Sequence, residues 1–395
     1  MKRIVWFLPV IIVGFSPVYP QNVNIPDTLF LYTLIDYGVD TNGDGQISYE
    51  EAAAVNYLNL SYGWWWWQIK SLEGIEAFVN LETLDCSGNL LTSLDVSGCT
   101  ALKLLDCSGN DLINLNISGC SDLNVLHCDD NLLDTLDVAG SGTLVSLTCE
   151  NNRFTSLDIS GCTALEELKC SGNRLTGLLL SGHATLKELN CSDNLIDTLD
   201  VSGCTALQLL FCDGNPITSL DVSGCTALYI LSCNGHQLTS LDVSGCSALE
   251  LLECHGDLLT TLDISGCTSL YELDLSNMPN LQMVCIWFVP PPIYINTTGS
   301  PNVYFTTECS TTIGKPEETG EIKIYPNPAG QLLHIETKQP GHYPIEITSL
   351  DGRLIYMATV DGKTHQVDMT RYGKGTYIIT VRSEAHVWQE KVIRY

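Results

Sequence analysis

With 395 residues and a formal charge of −28, from 46 acidic and 18 basic side chains, the chain has room for two or three domains and little with which to neutralise nucleic-acid phosphates. The acidic surplus predicts a well-solvated surface in surroundings rich in cations. Eighteen cysteines would suit a disulfide scaffold in an exported protein, but their spacing points elsewhere.

Residues 1–20 stand apart from the mature fold. Lys2 and Arg3 precede an apolar run from Ile4 to Phe15 that is too short to span a bilayer comfortably, the pattern of a secretory signal peptide. Cleavage is expected just before Gln21. No later stretch is long and apolar enough for a transmembrane helix, so the mature protein is expected to be soluble or surface-attached.

Residues 21–57 carry "DTNGDGQISYEE", residues 40–51. Asp40, Asn42 and Asp44 take positions one, three and five of an EF-hand calcium loop, and Gly45 makes the sharp turn at six. Gln46 offers its carbonyl at seven, Ser48 stands at nine, and Glu51 is the bidentate carboxylate at twelve. Asp27 is placed to cap an entering helix from Leu29 to Tyr37, and an exiting helix is expected from Glu50 to Tyr57. A calcium sensor would pair two loops and expose a Met-rich groove, and a dockerin would also carry two; here there is one loop and no Met cluster. The expectation is a calcium-stapled N-terminal cap, with Ca2+ as a structural cofactor.

Residues 58–80 form a degenerate first repeat interrupted by four indoles, Trp64 to Trp67. They suit either a loop packed over the cap edge or a stacking or partner-anchoring loop.

Residues 81–276 repeat with a period of 21: Cys86, Cys107, Cys128, Cys149, Cys170, Cys191, Cys212, Cys233 and Cys254. Cys99, Cys120, Cys162, Cys204, Cys225, Cys246 and Cys267 follow thirteen residues later, with Ser141 and His183 in the two gaps. A fixed period near twenty means a solenoid, whose units bury apolar faces only against their neighbours. The unit "LETLDCSGNLLTSLDVSGCTA", Leu81 to Ala101, matches L-x-x-L-x-L-x-x-N-x-L with Cys86 in the third leucine place. It resembles the cysteine-ladder leucine-rich repeats of certain internalins and Bacteroidota surface proteins. The fold class implied is an α/β-type repeat solenoid dominated by short parallel strands.

Within the unit, Leu84 and Cys86 point inward and Asp85 outward, while Leu94 and Val96 close the coil. Both cysteine columns are expected as buried thiols, since in-register parallel neighbours seldom offer disulfide geometry and no C-x-x-C knuckle suits zinc. An asparagine ladder from Asn89 to Asn215 should satisfy backbone groups at the turn; His236 and Asp257 replace it and Asn277 restores it. An acidic ladder, Asp95, Asp137, Asp158, Asp200, Asp221, Asp242 and Asp263, reads as a solvated edge or a weak cation attractor.

Residues 277–310 form a C-terminal cap, in which Cys285 and Cys309 stand outside both columns and are candidates for a disulfide. Residues 311–320 are a linker. Residues 321–395 alternate apolar and polar residues in short runs between turns, an Ig-like β-sandwich pattern. Tyr325-Pro326-Asn327-Pro328, Leu333 and Ile335, Asp351-Gly352-Arg353 and Gly375-Thr376-Tyr377 resemble the type A C-terminal sorting domain of the type IX secretion system. That resemblance implies export by the type IX secretion machinery, removal of the domain, and attachment at the outer surface or release.

No nucleophile elbow, H-E-x-x-H, phosphate loop or dinucleotide fingerprint occurs, so an enzyme is not expected. The outward strand positions vary between repeats while the scaffold does not. Leu209, Phe211, Ile230 and Leu251 make an apolar patch there, expected to contact an unknown protein or glycan ligand, with adhesion or protein recognition as the function. A passive surface-layer component, or an enzyme or inhibitor acting through an unrecognised loop, are the alternatives.

Overall fold

The repeat builds a coil by returning the chain to the same place every 21 residues, and one three-residue strand per coil is enough to bind it to its neighbours. The computed structural model describes residues 21–61, 68–235, 237–289, 293–307, 309, 322–325, 329, 331–349, 353–382 and 387–394. The expected signal segment, Trp64 to Trp67, His236, the linker 311–320, residues 326–328 and residues 351–352 lie outside these. The chain divides into two units, Met1–Cys309 and Ser310–Tyr395. Among the described residues no helix is long and apolar enough to cross a membrane.

In the first unit, twelve strands from Tyr57–Asn59 to Tyr294–Asn296 pair in parallel to form one sheet. The register carries each unit onto the next: Leu84 on Leu105, Leu210 on Leu231, Leu231 on Leu252. The middle residue of each repeat strand is buried and its neighbours face outward, the two-residue alternation of a pleated strand. Cys86 and its equivalents follow the strands into the core, and all sixteen cysteines of the two columns are free and buried. The opposite side of the coils pairs more sparsely, as Ser93–Asp95 with Asn114–Asn116, Ser219–Asp221 with Ser240–Asp242, and Thr261–Asp263 with Met283–Cys285 and Tyr304–Thr306.

The described repeats contain no α-helix; the helical part of the expected α/β class is confined to the cap. The reason lies in the acidic ladder. Asp95 accepts the backbone N–H of Ser97 at 2.9 Å, and Asp158, Asp200, Asp221, Asp242 and Asp263 do the same for the residue two places on. These local turns compete with helix formation and explain the aspartates as turn formers. The turn also brings successive coils close together: a Cβ on Gly119 would fall 1.8 Å from the Ser97 carbonyl oxygen.

On the other turn, the residue two after the column cysteine adopts positive φ in coil after coil. Where it is not glycine it is Asp130, Asn151 or Asp193, with φ of 52°, 52° and 53°, residue types that tolerate the left-handed region. Asn277, with φ of 56°, occupies this position. It therefore does not restore the asparagine ladder, whose register at that coil falls on Met278.

The cap comprises helix α1, Thr28–Asp36, and helix α2, Tyr49–Ala53. The exiting helix is shorter than expected, because Tyr57–Asn59 is taken as the first strand of the parallel sheet, paired with Thr83–Asp85. Leu58 and Leu60 are thereby buried. Phe30 of α1 packs on Phe78, ring centroids 6.5 Å apart, and this joins the cap to the repeat core. At the far end Cys285 and Cys309 form a disulfide with Cα atoms 5.3 Å apart.

The second unit is a five-stranded antiparallel sheet of Ile322–Tyr325, Leu332–Ser349, Leu354–Asp368, Gly375–Arg382 and Val387–Arg394. The short runs expected from the sequence join into two long strands, with a register shift between Glu336 and Gly341. One antiparallel sheet is what the described residues show of the expected sandwich.

Candidate functional site: the calcium-type loop and the outward sheet face

The loop that joins α1 to α2 is ordered by its own carboxylates. Asp40 Oδ1 accepts from Gly43 N and Asp44 N, at 2.7 and 3.2 Å, and its Oδ2 accepts from Gly45 N at 2.9 Å. Asn42 accepts from Asp44 N, and Asp44 from Gln46 N. Glu51 is 8% exposed. Its Oε2 accepts from the backbone and hydroxyl of Ser48, both at 2.9 Å, and Ser48 Oγ accepts in turn from Glu51 N, a capping box at the start of α2. Its Oε1 accepts from Thr41 N, Thr41 Oγ1 and Asn42 N. The Ser48 backbone N–H above all, helped by the hydroxyl and Thr41 bonds, outweighs burial and pulls the Glu51 carboxyl down to about 2, so the group is a standing anion at neutral pH.

Sequence reasoning missed how a solitary loop is braced. Val23 N donates to Ile47 O at 2.8 Å and Tyr49 N to Gln21 O at 3.1 Å, so residues 21–23 lie antiparallel along the loop's exit. Asn22 Nδ2 also donates to the Gln46 side chain. The N-terminal segment thus takes the edge that a second loop would otherwise cover. The loop donors are all oxygens and three are carboxylates, a set that suits a hard divalent cation. Among the described residues, Asp263, Cys285 and Cys309 alone gather three ligand atoms of carboxylate, histidine or cysteine type within 4.8 Å; there both sulfurs are spent in the disulfide.

On the outward sheet face, Leu209, Ile230 and Leu251 stand side by side in register on three adjacent strands, and Phe211 neighbours Ser232. All four patch residues are half-buried. Glu188 precedes the row and Glu272 follows it. Over the middle coils the face turns polar, and beyond them Leu104 and Val125 stand in register as a second, shorter aliphatic pair. Lys169 bridges Glu167 at 2.6 Å and Glu188 at 3.1 Å. Thr148 links the His127 ring to Asp129, whose carboxyl is pushed up by burial. Glu150 accepts from Ser171 and Asn190.

The cysteines offer no chemistry. Burial pushes Cys99 and Cys267 up to about 12 and Cys162 and Cys225 up to about 11, and in the inner column it raises Cys191 to about 12 and Cys86 and Cys128 higher still, so almost no nucleophilic thiolate exists at neutral pH.

Residues 323–394 match the family described as "Secretion system C-terminal sorting domain". Among solved structures, the functional domain of InlJ from Listeria monocytogenes, which includes a cysteine ladder, is 24% identical, with a TM-score of 0.52 over 95% of this chain and 98% of that one. YopM of Yersinia pestis is 18% identical, with a TM-score of 0.49 over 69% and 88% of the two chains. The leucine-rich repeat domain of APL1B is 20% identical, with a TM-score of 0.48 over 63% and 75%. No curated protein matches. The parallel in-register strands, the thiol columns and the terminal sheet together define a cysteine-ladder leucine-rich repeat solenoid followed by a type IX secretion system C-terminal sorting domain, which directs the protein to the outer surface.

Proposed function

We propose that the repeat domain is a displayed recognition module that holds a macromolecular ligand, protein or glycan, on the outward face of its parallel sheet. The observation that supports this is the row of Leu209, Ile230 and Leu251. Three half-exposed aliphatic side chains stand together there on a sheet that the fold has no need to cover. Around them a uniform scaffold presents variable residues, as a stacked-repeat binding surface does. The chemistry of the site is adhesive, by apolar burial and charge, with no catalytic step. In the cap, Asp40, Asn42, Asp44, the Gln46 carbonyl, Ser48 and Glu51 would hold Ca2+, which fixes the first coil against the helices. Ile335 and Ile345, buried in one cluster from either side of the strand irregularity, support an Ig-like sandwich folded from the one sheet; this sorting domain is removed on export.

Adhesion of purified, calcium-loaded mature protein to immobilised extracellular proteins and glycans tests the reading. Phe211→Asp with Ile230→Asp should abolish capture. Leu179→Asp, at a 77% exposed position on the opposite turn, should leave it intact. Equal capture by both variants would overturn it.

A further inference from the structure

The surroundings of the aliphatic row specify more than a sticky patch. From Glu188 to Cys309 the sequence contains no lysine and no arginine, so apart from His236 and His255 the ionisable side chains of this half of the solenoid that carry charge at neutral pH are acidic. Two carboxylates border Leu251: Glu272, its register partner on the next strand, and Glu253, two residues along its own strand. The Glu272 carboxylate has no ion-pair partner among the described residues, the backbone N–H alone being bonded, to Glu250 O. Glu253 Oε2 lies 3.0 Å from Ser232 Oγ, which is also 2.9 Å from Asp213 Oδ1. A hydroxyl has one proton to give, so it cannot serve both carboxylates. Asp213 is further satisfied by Asn234 N at 2.6 Å, whereas Glu253 has only a 3.4 Å contact from the Asn234 amide. The acid end of the row is therefore short of donors.

The opposite end is different. Glu188 shares the Lys169 ammonium with Glu167, so its charge is already largely answered. The row runs from a neutralised end to an unanswered acidic one.

We propose, building on the reading of this face as the ligand site, that its ligand is a protein segment with an aliphatic stretch followed by lysine or arginine. The aliphatic side chains lie over Leu209, Ile230 and Leu251, and the cationic ones reach Glu253 and Glu272. Strands about 4.8 Å apart place Leu209 roughly 14 Å from Glu272, the span of about four extended residues. Cationic groups supply the donors that Glu253 and Glu272 lack, and charge-assisted bonds are the strong ones. Two carboxylates poorly supplied with donors, on a stretch with no lysine or arginine, favour a cationic segment over a neutral glycan.

The test uses the full mature chain and three short fluorescent peptides: an aliphatic run followed by lysines, the same run followed by glutamates, and lysines alone. Only the first should bind well, and raising salt should weaken it. Glu253→Gln with Glu272→Gln should weaken it about three- to tenfold, and Ile230→Ser about tenfold or more, with melting temperatures held as a check on folding. Equal binding of the glutamate peptide, indifference to the Glu-to-Gln pair, or displacement by a neutral oligosaccharide would overturn the proposal. If no peptide binds while Phe211→Asp with Ile230→Asp still abolishes adhesion, the cationic ligand is wrong and the sheet-face reading stands. If adhesion also survives that pair, both fall.

Discussion

Asp27 ties the first helix to the first repeat: its Oδ2 accepts the backbone N–H of Lys70 at 2.9 Å, while its Oδ1 caps α1 through Leu29 and Phe30. Ser71 N shares Oδ2 at 3.1 Å. One carboxylate therefore serves four backbone donors from segments forty residues apart in sequence. Asp27→Ala should destabilise the cap by about 1–3 kcal/mol. Hydrogen exchange should rise in α1 and in residues 68–78 together. Exchange confined to α1 would show that the repeat does not depend on this residue.

Removing calcium should lower the melting temperature of the mature protein without a large change in far-UV circular dichroism, because the proposed ion fixes a cap and the sheet has its own ladder. Asp40→Ala with Asp44→Ala should abolish the difference made by chelator. Deleting residues 21–23 should reproduce part of the loss even in calcium, since Val23 N and Gln21 O hold the loop exit. A melting curve blind to chelator would refute the metal.

The acid limb of stability follows from Glu51. Its folded pKa of about 2 lies below the ordinary glutamate value of 4.5. A depressed carboxyl stabilises the fold fully above the unfolded value and loses that contribution as pH falls through the folded one. In chelator, wild type should exceed Glu51→Gln by on the order of 2–3 kcal/mol at neutral pH. The gap should close between about pH 4.5 and 2. A pH-independent gap would show that packing, rather than charge, is what the variant loses.

Each ladder asparagine closes a circuit between two coils. Asn131 Oδ1 accepts from Leu112 N at 3.0 Å, and its amide donates to Cys107 O, Cys128 O and Asp129 O. Asn131→Leu leaves buried backbone groups without partners and should cost about 2–4 kcal/mol in urea unfolding. Thr185→Ala, which loses an edge hydroxyl bond to Leu165 O, should cost far less. Comparable losses would mean that the ladder is not what joins the coils.

Much of this was legible because a repeat states its constraints many times. Leu84 and Cys86 had to face inward once the strand period was set, and Asn89 had to serve a turn once seven copies of it aligned. The acidic ladder is the solvated edge its charge suggested; what charge did not suggest is the bond each aspartate makes to an N–H two residues on, as Asp95 does with Ser97. Asn277 misled for a similar reason, since asparagine suits both the ladder and the left-handed turn one place before it. The helix expected from Glu50 to Tyr57 overran its end, because pairing of Tyr57–Asn59 with Thr83–Asp85 claims Tyr57 for the sheet. In the loop, the oxygen donors were plain from spacing. The brace from Gln21 and Val23 was not, because no local pattern announces a long-range backbone pair. The patch residues could be named from repeat position, whereas the poor supply of donors to Glu253 needed coordinates.

The asparagine circuit also bears on how such a chain can change its length. Asn110 reaches back to Leu91 N and Cys86 O, nineteen and twenty-four residues away, and Asn131 and Asn152 repeat the same two offsets. Every link is addressed relative to its own coil and to nothing further off. Excising or duplicating one whole unit would therefore leave each surviving link with a partner, and would slide the aliphatic row toward or away from the cap by one strand spacing, about 4.8 Å. Recombination between units can thus vary reach while the joint between coils stays the same.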